Sequence, residues 1–495
     1  MHCKIVVTLG PASLDYDVMK AMVRYGARIF RLNFSHADAA FFKPALKMIR
    51  DLERELDLPL TAMADLCGPK VRIGEVEGSP RQVNKGEYVH LGAPEHKPAG
   101  TAPFISLEMP ALLRGLDVGM SVNLSDGMLQ FKVSRVIRRD ELFELEAQNA
   151  GLLSSHKGVS FPGKSHPIKA LTEKDRKDVR EALEIGIDAV ALSFVQEAAD
   201  VIELRDLIKS HGAWVPVIAK LERQNAVDNL EAILAHADGV MVARGDLGLE
   251  CPLSALPIIQ KRILRACRHA QKPAIVATQM LLSMVKNPLP TRAECTDVAN
   301  AILDGTDCVM LSEETAIGNY PVEAVRYMND IAREAEAYYL ERLGEPYFPK
   351  KEKNPAKYLA YAACLLADNA ESKALVCHST SGRTARLVSS RRPAQPIVAL
   401  TPDSAVMRAL NFVWGVHPRL VGTAVENHTA RAELFVQQSP EFQPGDNVII
   451  TSGQATPGQM DISTNEVKIY YKYKQPCFSP PTSSGDAFFV RCTPG

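Results

Sequence analysis

Eight short runs rich in Val, Ile, Ala and Leu, each closed by polar residues or glycine, constrain this chain more than any other feature. They occupy residues 5–9, 27–34, 60–66, 188–194, 216–222, 239–244, 273–280 and 307–312. Between most of them lie stretches with helical periodicity, such as 200–209 and 225–236, and this alternation is that of a parallel α/β fold. Eight units fit a closed (β/α)8 TIM barrel, whose active site lies at the carboxyl ends of its strands. Those ends carry Arg31, Asn33, Ser35, His36, Asp65, Ser193, Lys220, Glu222, Arg244, Asp246, Thr278 and Ser312. The competing arrangement is a doubly wound open sheet. It needs a phosphate-binding glycine turn after its first strand, where this chain has Gly10-Pro11-Ala12-Ser13.

A chain of 495 residues exceeds one ordinary domain, and about three are expected. From residue 71 to 166 the pattern changes to short alternating segments such as Leu129-Gln130-Phe131-Lys132-Val133, separated by Gly and Asp. This reads as an all-β domain inserted into a barrel formed by 1–70 and 167–344. Helical text resumes at Thr172-Glu173-Lys174-Asp175, a capping-box pattern, so the insertion, a β-barrel lid, sits on the active-site rim and can close over it. A Pro- and Lys-rich linker leads into a C-terminal α/β domain, 345–473. The final stretch, 474–495, rich in Pro, Ser and Gly, reads as a disordered tail.

The formal charge of -1, with both signs interspersed, argues against nucleic acid or a membrane surface as partner. Any bound anion must be held by local groups. The ten cysteines are scattered without Cys-x-x-Cys spacing and read as reduced thiols. With no signal-type apolar region and no span of about 18 apolar residues, the expectation is a cytoplasmic protein.

Glu222 and Asp246 close adjacent strands, where two carboxylates can share a hard cation such as Mg²⁺; two solvated carboxylates are the plain alternative. Lys220 lies two residues before Glu222 and therefore on the same side of its strand. A lysine in a barrel mouth is costly unless carboxylates or an anionic substrate await it, and phosphoryl transfer gives such a cation work to do. Arg244-Gly245-Asp246-Leu247-Gly248 can present backbone N–H groups to an anion. Arg31 and Arg72 are candidate phosphate forks, and Thr278 and Ser312 can pass a proton, although such hydroxyls often just satisfy the backbone. Gly158-Val159-Ser160-Phe161-Pro162-Gly163-Lys164-Ser165 matches the P-loop pattern but is rejected: it follows polar residues, and Pro167 disfavours helix at His166.

Over nearly its full length the chain resembles the pyruvate kinase family. The resemblance rests on Lys4-Ile5-Val6-Val7-Thr8-Leu9-Gly10-Pro11-Ala12-Ser13, Arg31-Leu32-Asn33-Phe34-Ser35-His36, Val217-Ile218-Ala219-Lys220-Leu221-Glu222, Met241 to Gly248, Ala277-Thr278-Gln279-Met280 and Pro290-Thr291-Arg292-Ala293-Glu294. It implies transfer of the phosphoryl group of phosphoenolpyruvate to ADP, giving ATP and pyruvate, the last step of glycolysis. It further implies that Glu222 and Asp246 bind Mg²⁺, with Mn²⁺ as a substitute, that Lys220 and Arg31 hold the phosphoryl group, and that the backbone of Arg244, Gly245 and Asp246 receives the substrate carboxylate. Thr278 and Ser312 resemble the hydroxyls that bind the enolate and relay its proton, while His36, Arg72 and Asn33 resemble nucleotide contacts.

The family's K⁺ site matches Asn33, Ser35, Asp65 and the carbonyl of Leu66. Here Leu66-Cys67-Gly68-Pro69-Lys70 replaces the familiar animal Thr-Lys-Gly-Pro-Glu, as in the K⁺-independent branch, so the ammonium of Lys70 is expected to stand in for K⁺. Ser379-Thr380-Ser381-Gly382-Arg383-Thr384 resembles a loop that holds an effector phosphate, and the family implies a homotetramer. Two other classes compete: a Mg²⁺-dependent aldolase, which lacks the lid and has no use for Lys220, and a non-catalytic sensor, which requires loss of site residues that are all present.

Overall fold

The computed structural model describes every residue except 70, 99–102, 126, 165–167, 350–352, 426, 454–465 and 475–495. Eight parallel strands close a barrel: Lys4–Thr8, Ala27–Asn33, Thr61–Asp65, Ala189–Leu192, Val217–Leu221, Gly239–Ala243, Ala274–Ala277 and Cys308–Leu311. Each falls within, or one residue before, a run read from the sequence. Period-two alternation divides their side chains. Val6, Ile29, Met63, Ile218, Met241 and Ile275 fill the barrel interior, while Ile5, Val7, Phe30 and Leu32 pack outward against the surrounding helices. The stretch read as one helix over 225–236 is two, Gln224–Asp228 and Leu230–His236, joined at Asn229.

The helix Glu173–Ile185 starts with the expected capping box between Thr172 and Asp175 and stops at Gly186 in the left-handed region. At Gly10 a side chain is excluded by close approach: a Cβ would lie 2.5 Å from the Ala316 carbonyl oxygen. The turn after the first strand can therefore lie against the eighth unit, and Ala12 N donates to that same carbonyl.

The lid follows the third strand. Seven strands between Ile73 and Ser160 form a barrel-like sheet over a separate core that includes Leu91, Ile105, Phe131 and Phe143. The P-loop-like pattern falls here. Val159–Ser160 is an edge strand, Lys164 donates to the Leu112 carbonyl at 2.5 Å, and no described residue of 158–164 is helical. After the long helix Pro321–Leu343, the third domain forms a five-stranded sheet in the order Val416–Leu420, Ile397–Thr401, Leu375–His378, Asn447–Ser452 and Glu466–Tyr471, the last antiparallel.

The third domain closes the bottom of the barrel. Phe412 joins the interior cluster. Arg392, 2% exposed, pairs with Asp307 at 3.0 Å and lies over the Trp414 ring, whose other neighbour is the stacked His2 imidazole. Asp307 also accepts from Ala274 N and Trp414 N, so one buried carboxylate ties two barrel strands to the third domain. Removing one partner of such a pair leaves a buried charge unmatched. Arg392→Ala is expected to cost about 3–5 kcal/mol in denaturant unfolding, and adding Asp307→Asn is expected to recover part of it.

Candidate active site

The strand ends of the barrel converge on two adjoining clefts, of about 500 Å³ and 820 Å³. Arg31, Asn33, His36, Lys220, Glu222 and Asp246 line both. The first cleft is roofed by the lid through Arg72 and residues 156–161. The second is bounded by Pro11, Phe41, Phe42, Thr278 and Ser312. Thus the strand ends singled out in the sequence meet in space, and the inserted domain covers them.

Lys220 organises the mouth. Its Nζ lies 2.9 Å from Glu222 and 3.1 Å from Asp65, and it donates to Ser193 Oγ at 2.7 Å. Ser193 in turn donates to the Leu66 carbonyl at 2.7 Å. The contact with Asp65 Oδ1 is an ion pair without hydrogen-bond alignment. Burial works to lower the ammonium's pKa, but the two carboxylates outweigh it and hold Lys220 above its ordinary range. Asp65 completes the arrangement by accepting from Arg31 Nε at 2.5 Å. Burial works to raise Asp65, yet Lys220 and Arg31 keep it below the usual carboxylate range.

Glu222 is different. Burial pushes it up to about 7, against the pull of Lys220 and with the help of Asp246. Its second oxygen accepts from Phe194 N at 2.6 Å. Two carboxylates that share a cleft at the ends of paired neighbouring strands, with Asp246 helping to raise Glu222, can serve as donors to a hard divalent cation. Mg²⁺ is typically held by one or two carboxylates and completed by water and substrate oxygens. No group of three or more His, Cys, Asp or Glu with metal-binding geometry occurs among the described residues.

On the opposite wall, Arg244 is a strut: its guanidinium pairs with Asp297 at 2.7 Å and donates to the Thr278 carbonyl at 2.8 Å. Thr278 Oγ1 accepts from Gly245 N at 2.8 Å and donates to the Ala277 carbonyl at 2.6 Å. Thr278 and Gln279 both have positive φ, 71° and 53°, a costly backbone for a β-branched residue, found where structure over-determines a functional turn. Ser312 Oγ is buried without a partner, while Ser312 N donates to Glu314. Arg31 Nη1 donates to Thr8 Oγ1 at 3.1 Å, and Arg72 Nη1 reaches the His156 carbonyl at 3.4 Å.

Among the groups matched to the K⁺ site, Asn33 Oδ1 accepts from Ser35 N at 3.1 Å, Asp65 is engaged by Arg31 and Lys220, and the Leu66 carbonyl accepts from Ser193. Lys70 lies outside the described residues. In the third domain, 379–384 forms the turn between the strand Leu375–His378 and the helix Arg383–Ser389, with Gly382 at φ 73° and Ser379 and Thr384 buried.

Three residues at the mouth escaped sequence reasoning. Glu314, 1% exposed, accepts from both Leu281 N and Ser312 N and so ties the loop after Thr278 to the eighth strand end. Arg223 is buried with its guanidinium over the Phe194 ring. Glu250 is pushed up to about 7 by burial, with Arg223 opposing and Asp246 adding. The doublets Glu222-Arg223 and Glu313-Glu314 were the available signals, but period alone did not say which member turns inward.

A lidded (β/α)8-barrel enzyme, with paired carboxylates and a buried ammonium at its mouth, is the class that fold and site define together. Residues 1–325 match the family model for the pyruvate kinase barrel domain, and residues 357–470 that for the pyruvate kinase alpha/beta domain. Similar proteins include pyruvate kinase 2 of Synechocystis sp., 41% identical across 94% of this chain and 79% of that protein. The pyruvate kinase of Agrobacterium vitis is 42% identical, across 94% of this chain and 96% of its own length. That of Thermococcus litoralis is 37% identical, across 94% and 98%. The chain belongs to the pyruvate kinase family.

The high pKa of Glu222 predicts a stability signature. Its ordinary value is 4.5 and its folded value about 7, so between these the folded protein retains a proton that the unfolded chain has released. Ionisation of Glu222 therefore lowers stability as pH rises through this window. Without metal, Glu222→Gln, which mimics the protonated group, is expected to be more stable than the parent at pH 8 by on the order of 1–3 kcal/mol. At pH 5 the two should unfold alike; denaturant titration at both pH values checks this.

Proposed function

We infer that this mouth performs the family reaction, transfer of the phosphoryl group of phosphoenolpyruvate to ADP, followed by protonation of the enolate to pyruvate. The observation that carries the reading is Lys220, held at 2.9 Å from Glu222 at the centre of the mouth, with family membership over nearly the whole chain. The family uses Mg²⁺, and in this chain Glu222 and Asp246 would hold it. When bound it offsets negative charge on the phosphoryl and enolate oxygens.

The chain's own groups divide the remaining work. Lys220 and Arg31 orient the phosphoryl oxygens and balance charge as the bond to the enolate oxygen lengthens and the ADP oxygen approaches. Backbone N–H groups around Arg244, Gly245 and Asp246 receive the substrate carboxylate. In the substrate-free geometry Gly245 N is engaged by Thr278 Oγ1, so this assignment includes release of that bond on binding. Thr278 and the unpartnered Ser312 hydroxyl line the side from which a proton reaches the methylene carbon. Asn33, His36 and Arg72 contact the nucleotide, and the lid over 71–166 excludes water.

The finer readings extend this one. The ammonium of Lys70 supplies the charge for which relatives use K⁺, a reading supported by the commitment of Asp65 and the Leu66 carbonyl to protein partners. The loop 379–384 takes a phosphorylated effector, and the chain works as a homotetramer in the cytoplasm, where the eight described free cysteines are at home. No helix among the described residues is long and apolar enough to cross a membrane.

Pyruvate formation should be measured with phosphoenolpyruvate, ADP and Mg²⁺, in parallel buffers of K⁺ and of a bulky organic cation. Equal turnover in both is expected. Turnover with K⁺ alone removes the role given to Lys70, and none in either, with folded protein, removes the kinase reading. Lys220→Met is expected to lower kcat by about 10²–10³-fold, and Mg²⁺ is expected to raise the melting temperature of the parent but not of Glu222→Gln.

A further inference from the structure

Just past the end of the fourth barrel strand, Phe194 has its backbone in the left-handed region, φ 55°, a costly conformation for a bulky residue. In that conformation its N–H donates to Glu222 Oε2 at 2.6 Å. Two neighbours confine its ring. Gly68, in the loop after the third strand, abuts it so closely that a Cβ there would lie 2.8 Å from Phe194 Cδ2. The Arg223 guanidinium lies over the ring, with Cζ 5.3 Å from the centroid, within the range of a cation–π contact.

Arg223 finds little else to engage. It is 6% exposed, and its Nη1 has no hydrogen-bond partner among the described residues. Burial lowers its pKa, opposed first by Glu250 and then by Glu222. Glu250 closes the helix Arg244–Glu250, one turn beyond Asp246 and on the same face. Arg223, Phe194, Glu222, Asp246 and Glu250 all line the lid-roofed cleft. Thus Arg223 holds the ring whose backbone serves Glu222, and it answers the charge on the helix that carries Asp246. An apolar side chain could fill the same space without a buried charge, which points to the guanidinium's work on Phe194.

We propose that Arg223 is a positioning residue for the metal site: by confining the Phe194 ring it keeps the Phe194 N–H on Glu222, and so fixes the orientation in which that carboxylate meets a cation shared with Asp246. This role presupposes Glu222 and Asp246 as the metal ligands. Groups that hydrogen-bond a ligating carboxylate orient it, and their loss typically costs about 10–100-fold in metal affinity.

The test is Mn²⁺ binding to the full chain without phosphoenolpyruvate or nucleotide, read from the electron paramagnetic resonance signal of free Mn²⁺. The parent is expected to bind and Glu222→Gln to lose most of the binding. A parent that binds no Mn²⁺ removes the metal reading itself, and this role with it. Arg223→Gln is expected to raise the Kd about tenfold, Phe194→Leu by a similar factor, and the double variant no further than the larger of the two, because both act through one N–H. In turnover, saturating Mg²⁺ is expected to restore most of the kcat of Arg223→Gln with the KM for ADP unchanged, a rescue that a merely structural role would not give. An unchanged Kd in Arg223→Gln, or additive losses in the double variant, overturns the proposal. So does a raised KM for ADP that excess Mg²⁺ does not cure, which makes Arg223 a nucleotide contact instead. Where Arg223→Gln does not fold, Phe194→Leu must weaken Mn²⁺ binding while Arg223→Lys, which keeps a cation over the ring, must not; any other outcome overturns the proposal.

Discussion

The buried ion pair between Lys220 and Glu222, extended through Asp65 to Arg31, is the constraint on which the active face depends. An ammonium at the centre of a barrel is tolerable only when its charge is matched nearby. Asp65 and Glu222 provide that match from the third and fifth strand ends, and Arg31 from the second strand keeps Asp65 ionised. The arrangement requires several strands to end at the same height, which a closed parallel barrel supplies. Glu222 is left in tension between Lys220 and Asp246, a tension that a divalent cation held by the two carboxylates would relieve. Stability and function are therefore opposed at one residue.

At the other end of the barrel the same physics appears with a different outcome. Asp307 and Arg392 are matched one to one and lock the third domain in place, with Trp414 and Phe412 filling the apolar space around them. A few residues away, the Lys4 ammonium donates to the Val416 carbonyl and is drawn by the buried Glu336 carboxylate, which also accepts from His2 N.

Much of this was legible in the sequence because period and position carry it. The eight apolar runs fixed the barrel, since a buried parallel strand must be nearly continuous in apolar residues. The strand ends then named Lys220, Glu222, Asp246, Thr278 and Ser312 without further information. What escaped was set by contacts that no local pattern encodes. Glu314 reads like its neighbour Glu313, and only packing turns it inward to hold Leu281 and Ser312. Lys4 reads as the ordinary polar start of a strand, and its burial comes from Val416, distant in sequence. The positive φ at Thr278 contradicts the preference of a β-branched residue, so local reasoning could not have found it; the hydrogen bond from Gly245 stabilises that turn.

The two ends of the barrel are connected by short, stiff elements. Thr8, which accepts from Arg31, ends the strand that Lys4 begins, and Arg28 and Arg31 share the second strand. A strand has no second arrangement to adopt, so it cannot act as a switch by itself; coupling needs an element with two states. The junction between barrel and third domain is held by many polar contacts: Asp307 with Arg392, Glu53 with Arg408, Asn411 on the Pro59 carbonyl, Lys4 on the Val416 carbonyl, and the stacked pair of His2 and Trp414.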